Sequence, residues 1–196
     1  MKQGLALFDF DGTITTKDTL FELIKFQKGI LKFYLGMIWL LPILILFKLK
    51  FLPNWKAKEA VLTFFFANQS QLAFQQSCDA FTSTALPLLL RKEALKKIEQ
   101  HIANNDRVIV VSASCYNWVE GWCKTMHIEL IATNLESKNG LITGKLDSIN
   151  CNDEEKVRRI NEYLNLTDYK PIFAYGNSAG DTPMLTLADF PFYREF

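Results

Sequence analysis

The sequence predicts a doubly wound α/β fold: a parallel sheet flanked by helices, with a helical segment inserted after the first strand. Three observations carry this expectation. Apolar runs at Gly4–Phe10, Arg107–Val111 and Pro171–Tyr175 are too short for helices and read as strands buried on both faces. Each run ends in small, polar or acidic residues: Asp9 to Thr13, Ser112-Ala113-Ser114, and Gly176-Asn177-Ser178. Helical patterns lie between the runs, and such alternation argues for a Rossmann-like α/β core. Ligands bind such open sheets at the carboxyl ends of the strands. The three polar tips are therefore expected to converge on one crevice.

The elements follow in order. Gly4–Phe10 is the first strand, ending at two acids. Residues 15–90 lack clear strands and are helical in pattern, so they read as a cap interrupting a core made of residues 1–14 and 91–196. Ala94–Ala103 alternates apolar and charged residues at helical spacing. Arg107–Val111 is rich in β-branched residues and forms the second strand. Asn117–Met126 gathers Trp118, Val119 and Trp122 on one side of a helix. Ile128–Ala132 reads as a further strand, and Asn134–Leu146 as a hairpin turning at Asn139-Gly140. Asp153–Leu164 puts Val157, Ile160, Tyr163 and Leu164 on one face, and its acidic start suits a helix N-terminus. Pro171–Tyr175 is the last strand expected.

Composition narrows the function classes. A length of 196 residues suits one compact domain carrying a sizeable insertion. With 49% hydrophobic and 22% charged residues, extensive disorder is excluded. A net charge of +1 gives no electrostatic case for nucleic acid as a partner. Cys78, Cys115, Cys123 and Cys151 form no C-x-x-C pair, and His101 and His127 are the only histidines, which argues against structural zinc. The thiols read as reduced, which places the chain in the cytoplasm. The N-terminus runs straight into a strand, so no signal peptide is expected.

One stretch of the cap departs from ordinary composition. Phe33–Phe47 is 15 residues without a charge, between Lys32 and the pair Lys48 and Lys50. A spanning helix needs about 20 apolar residues, and Pro42 is expected to kink this one. The run is apolar on all faces, which a small cap would struggle to bury. Three readings stay open: a buried cap helix, a membrane-surface or re-entrant anchor, and a true span.

The chemistry sits at the strand tips. Asp9 and Asp11 are two apart, and side chains i and i+2 of an extended strand share a face. Two carboxylates on one face are costly without a cation or proton, which suggests Mg²⁺, a cation that prefers hard oxygen ligands. Asp9 can then attack phosphorus as a carboxylate nucleophile. Asp11 can protonate the leaving oxygen and later activate water. Gly12 permits a sharp turn off the strand. Ser112 precedes a helix, where a hydroxyl and free N–H groups hold phosphate oxygens; a helix cap explains it equally. Lys156 lies in a helix first turn, where a cation opposes the dipole; its ammonium can neutralise phosphate and carboxylates, or sit in solvent. Asn177 and Asp181 offer hard oxygens to Mg²⁺, or merely shape a turn before Thr182-Pro183.

Together these clusters resemble the haloacid dehalogenase-like phosphohydrolase superfamily. The matching segments are D-F-D-G-T at 9–13, V-V-S-A-S at 110–114, Lys156 in N-D-E-E-K-V-R-R, and Y-G-N-S-A-G-D-T-P-M-L at 175–185. A helical insertion directly after the first motif is similar to the cap of the phosphoserine-phosphatase-like branch. The resemblance implies Asp9 as nucleophile, Asp11 as acid/base, and Mg²⁺ held by Asp9, the Asp11 carbonyl and the last motif. It implies Ser112, Ala113, Lys156, Gly12 and Thr13 around the phosphate. Asp at the second position, as at Asp11, implies a phosphatase. Two departures stand out: Asn177 where Asp is frequent, and Asp18 where the branch carries a longer glutamate that reads a substrate amine. The apolar cap stretch is similar, in character and position, to that of bacterial phosphatases acting on phosphatidylglycerophosphate.

The expected function is thus a Mg²⁺-dependent phosphomonoesterase working through an aspartyl-phosphate on a small phosphorylated metabolite. One alternative is a lipid phosphate phosphatase at the inner face of the membrane, touching it through Phe33–Phe47. Another is a phosphate-binding protein without turnover.

Overall fold

Alternation along the first strand organises the molecule. The computed structural model describes residues 2–196. The first half of the chain comprises β1 (Gln3–Phe8), α1 (Thr19–Lys28), α2 (Ile30–Trp39), α3 (Leu41–Lys48), α4 (Asn54–Phe66), α5 (Gln71–Thr84) and α6 (Lys92–Ala103). Then come β2 (Arg107–Cys115), α7 (Tyr116–Thr125), β3 (Glu129–Thr133), β4 (Leu135–Lys138) and β5 (Leu141–Leu146). The chain closes with α8 (Glu154–Tyr163), β6 (Tyr169–Gly176), α9 (Thr182–Leu185) and β7 (Phe190–Tyr193).

Five strands form one sheet in the order β3-β2-β1-β6-β7, with every pairing parallel. Side chains of a strand alternate between faces. Leu5 and Leu7 of β1 point to one side, into a core with Ile109, Val111, Ile160, Ala174 and Met184. Ala6 and Phe8 point to the other, into a core shared with Val110, Trp118 and Tyr175. That second core runs without a break into the insertion, through Leu23, Val61, Phe66, Phe74 and Phe81. The doubly wound α/β expectation is met, with helices on both faces and the insertion following β1.

Several details differ from the sequence reading. β2 does not stop at Val111 but carries Ser112-Ala113-Ser114 in extended form to Cys115, with a register irregularity against β3 after Val111. β7 was not foreseen. It is a short, mostly exposed edge strand containing Pro191, and it lacks the period-2 pattern that marks a half-buried strand. The apolar run divides into α2 and α3, whose axes bend by 63°. Pro42 sits in the first turn of α3, where a missing N–H costs nothing. The buried-helix reading fails: α3 has no buried residue, and α2 buries only Phe33 and Gly36. Among the described residues no single helix is long and apolar enough to cross a membrane.

The β4–β5 hairpin, although it follows β3 in sequence, is joined to the insertion by backbone hydrogen bonds. Asn68 N donates to Ile142 O, Ile142 N to Gln69 O, and Gln71 N to Gly140 O, each at 2.8 Å. Gly144 adopts a φ of +80°, and a Cβ there would lie 2.3 Å from the Thr63 Cα on α4. Gly144→Ala is expected to destabilise the protein by about 2–5 kcal/mol, from left-handed strain plus a backbone clash. Urea unfolding of the two proteins measures this, and an unchanged midpoint would refute the packing described.

Candidate active site

The first tip is shaped by a turn. β1 ends at Phe8, although Asp9 N still donates to Tyr175 O at 2.9 Å. The amides of Thr13, Ile14 and Thr15 then all fold back on the Phe10 carbonyl. Gly12 has a φ of +82°, and a Cβ there would lie 2.1 Å from the Asn177 Nδ2, so only glycine fits. Because the chain leaves the extended form here, the Asp9 and Asp11 carboxylates find separate partners. The two carboxyls still meet: both line one cavity, and the Asp11 charge adds to the rise of the Asp9 carboxyl. Asp9 Oδ1 accepts from Lys156 Nζ at 2.7 Å and Oδ2 from Thr13 Oγ1 at 3.0 Å. Asp11 Oδ1 accepts from Thr19 N at 2.7 Å, and its Oδ2 from the Ser114 hydroxyl.

Lys156 is not a solvated surface lysine: it is 1% exposed. Its ammonium donates to Asp9 Oδ1 and Asp181 Oδ1, each at 2.7 Å, and to Val111 O at 2.8 Å. All three of its protons are thereby placed. Burial alone would pull the ammonium down, but the Asp9 and Asp181 charges outweigh it and hold Lys156 above the ordinary lysine value. Burial likewise works against the Asp181 charge, yet Lys156 and the Ser178 donors keep that carboxyl below its ordinary value. Asp181 Oδ2 accepts from Asn177 N, Ser178 N and Ser178 Oγ at 3.0, 2.9 and 2.8 Å. Asp181 thus ties the loop after β6 to the lysine. The Asn177 Oδ1 accepts only a long bond from Thr13 Oγ1, 3.3 Å.

Ser112 is buried, and its Oγ accepts from Ser114 N at 3.0 Å. Asp18 caps α1, accepting from Phe21 N at 3.2 Å, and lines the same cavity as Asp9 and Asp11. That cavity holds about 360 Å³. Its other walls include Lys58, Ala113 and Ser114, and the apolar Leu20, Phe21, Leu44, Phe47 and Val61. Two of these polar residues escaped the sequence reading. Lys58 of α4 donates to the Ala113 carbonyl and, at 3.1 Å, to Asn150 Oδ1. Ser114 bridges Asp11 to Thr19 Oγ1, which lies 3.2 Å away. No local pattern marks Lys58, which is one lysine among several. Ser114 stands inside the V-V-S-A-S segment and is legible only as a second hydroxyl beside Ser112.

Burial raises the Asp9 carboxyl to about 6, with Lys156 offsetting it only in part. Burial and then the Asp18 charge push Asp11 to about 6, against the Ser114 and Thr19 donors. The crevice therefore holds more buried carboxylate than Lys156 neutralises. Mg²⁺ prefers oxygen donors and often binds through one or two carboxylates. Asp9, Asn177 Oδ1 and the Asp11 carbonyl, which accepts no hydrogen bond among the described residues, fit such a cation chemically. Asp181, whose oxygens accept from Lys156 and from the Asn177–Ser178 loop, lines the same cavity as Asp9 and Asp11 and offers a further hard oxygen.

Fold and site together define an α/β hydrolase of the phosphatase type, with a helical insertion over the strand tips. The chain belongs to the haloacid dehalogenase-like hydrolase family, whose model matches residues 6–186. It is 33% identical to protein CicA of Caulobacter vibrioides over 194 residues, covering 98% of this chain and 86% of that protein. Among solved structures it resembles a Bordetella pertussis Tohama I protein of unknown function, with a TM-score of 0.82 at 22% identity over 96% of this chain and 88% of the other. It also resembles phosphoserine phosphatase captured as a phospho-aspartyl intermediate analogue, with a TM-score of 0.64 at 19% identity over 96% and 84%. These two structural likenesses are ones of fold, that of the phosphoserine-phosphatase-like branch.

The raised carboxyls set a pH dependence. Both folded values of about 6 lie above the ordinary 3.8. Their contribution to stability is complete below the ordinary value and is lost as pH rises through 6. Metal-free protein is therefore expected to melt at lower temperature at pH 7.5 than at pH 5.5, with Asp11→Asn flattening the difference. Added Mg²⁺ should raise the melting temperature at pH 7.5 by binding the folded state alone. Thermal melts in chelator and in Mg²⁺ check both signs.

Proposed function

We propose that this phosphatase-type hydrolase is a Mg²⁺-dependent phosphomonoesterase working through an aspartyl-phosphate at Asp9. The observation that carries the reading is the pairing of Asp9 with the buried Lys156 beside Asp11 in one cavity. Asp9, the Asp11 carbonyl, Asn177 and Asp181 would hold the Mg²⁺, with Asp181 also tying the Asn177–Ser178 loop to Lys156. When bound, the cation supplies charge neutralisation on the phosphoryl oxygens.

An Asp9 carboxylate oxygen attacks phosphorus, and the bond to the leaving oxygen breaks. The Asp11 carboxyl, poised near 6, gives its proton to that oxygen. The resulting Asp11 carboxylate then takes a proton from water, whose oxygen displaces Asp9 and releases phosphate. Ser112, Lys156, the Ala113 amide and the Gly12–Thr13 turn bind the phosphoryl oxygens. Asp18 and Lys58 face the leaving group from the insertion side of the cavity. Residues 1–14 and 91–196 act as the catalytic core and 15–90 as the cap, in a cytoplasmic protein.

For the substrate, a small phosphorylated metabolite fits a cavity of about 360 Å³. A lipid phosphate is the second reading, favoured by Leu44 and Phe47 on the cavity wall.

The test is hydrolysis of an aryl phosphate with Mg²⁺. Asp9→Asn is expected to abolish turnover. Asp11→Asn is expected to slow it about 10²–10⁴-fold, the usual worth of a general acid/base, and to accumulate phospho-enzyme. Equal activity of Asp9→Asn and wild type would sink the mechanism. Tight Mg²⁺ and phosphate binding by the wild type with no turnover on a broad panel would establish a binding protein instead.

A further inference from the structure

Charge and apolar surface are segregated in the insertion. Between Glu22 and Glu59 the chain has no acidic residue but seven lysines, at 25, 28, 32, 48, 50, 56 and 58. The chain as a whole is net +1, so the remainder is net acidic. The same stretch exposes Leu31, Ile38, Trp39 and Phe51 by 70, 67, 76 and 78%. Tyr34, Leu35, Leu41 and Leu49 are at least half exposed beside them. Single exposed apolar residues are ordinary, but a contiguous face of this kind marks a binding surface.

The face also holds a groove. Gly36 lets α2 approach α4 so closely that a Cβ there would lie 2.4 Å from the Phe65 ring. Beside that contact a cavity of about 440 Å³ is lined by Leu35, Trp39, Phe64 and Phe65, with Lys28 and Lys32 also on its wall. Burial and then the Lys32 charge depress Lys28, so an anion there would relieve both. An apolar trough with two cations at its wall matches an amphiphile with an acidic headgroup.

We propose that the α2–α3 face of the insertion docks on an anionic lipid bilayer, lying in the interface with its lysines on the headgroups. Lysines attract anionic lipid, and Trp and Tyr settle at headgroup depth, as Trp39 and Tyr34 are placed to do. A second copy of this chain is the poorer occupant, because two such faces would set the exposed Lys32, Lys48 and Lys50 of one against those of the other. The dimensions favour this pose over a straight span: α2 and α3 measure about 15 and 12 Å at 1.5 Å per residue and bend by 63°, so neither alone reaches across a hydrocarbon core of about 30 Å. The face adjoins the site, since Leu44 and Phe47 of α3 wall the catalytic cavity. Docking does not depend on the phosphatase reading. Only its corollary does, that a substrate's phosphate enters from the membrane side.

The experiment is co-sedimentation of the full chain with vesicles of phosphatidylcholine, and of phosphatidylcholine mixed with phosphatidylglycerol, while following tryptophan emission. The wild type is expected to partition onto the anionic vesicles with a blue shift that Trp39→Phe diminishes, and to release in high salt. Lys48→Gln with Lys50→Gln should weaken partition roughly thirtyfold. Leu31→Gln with Ile38→Gln should weaken it at least about tenfold. All four positions are exposed, so unchanged thermal melts confirm folding. Failure to bind anionic vesicles, or equal binding to both vesicle types, would overturn the proposal. A dimer in sedimentation velocity that Leu31→Gln with Ile38→Gln dissolves, with no vesicle binding, would overturn it in favour of self-association. No readout uses turnover, so failure of the catalytic reading leaves the result intact.

Discussion

The arrangement turns on one buried ammonium. Lys156 joins Asp9 after β1, Val111 in β2 and Asp181 after β6, so three strand tips and the start of α8 are fixed by one atom. Removing one partner from a buried charge cluster is far more costly than never building it. The sheet therefore presents the Asp9 carboxylate already aimed, and the turn at Gly12 lets the chain leave β1 without striking Asn177. Asp181 extends the same tie through the amides of Asn177 and Ser178. The carboxylate most visible in the last motif thus both ties that loop to Lys156 and lines the cavity beside Asp9 and Asp11.

Asp11 answers to a different part of the chain. Its carboxylate is held by the first amide of α1 and by Ser114, and Trp118 Nε1 donates to Thr19 Oγ1 at 3.0 Å to hold that junction. The Asp11 carboxylate is therefore positioned by the insertion as much as by the sheet. The continuous core that runs from Phe8 to Phe74 and Phe81 makes the two parts one packed body.

Much of this was legible in the sequence. The buried strands announce themselves as apolar runs, and D-F-D-G-T, Ser112 and Asp181 follow them because parallel sheets gather their tips at one end, with Lys156 reaching in from the start of α8. What stayed hidden depended on contacts distant in sequence. Lys58 reads as one cation among many until α4 folds over Ala113. The partners of Asp9 and Asp11, Lys156 for one and Ser114 for the other, lie far off in sequence. β7 is short, exposed and carries a proline, so it sends no alternating signal. The apolar run was legible as anomalous, yet its exposure followed only from the packing of α2 and α3 against a single side of the insertion.

The β4–β5 hairpin has a consequence for how this architecture can be dissected. Its edge is completed by the 68–71 segment through the bonds at Gly140 and Ile142. Deleting or exchanging residues 15–90 alone would strip that edge of its partner and leave open backbone groups, a template for aggregation. A chimera that borrows another family member's insertion must carry the hairpin along. The exchangeable module is discontinuous, with its second piece some fifty residues downstream of the first.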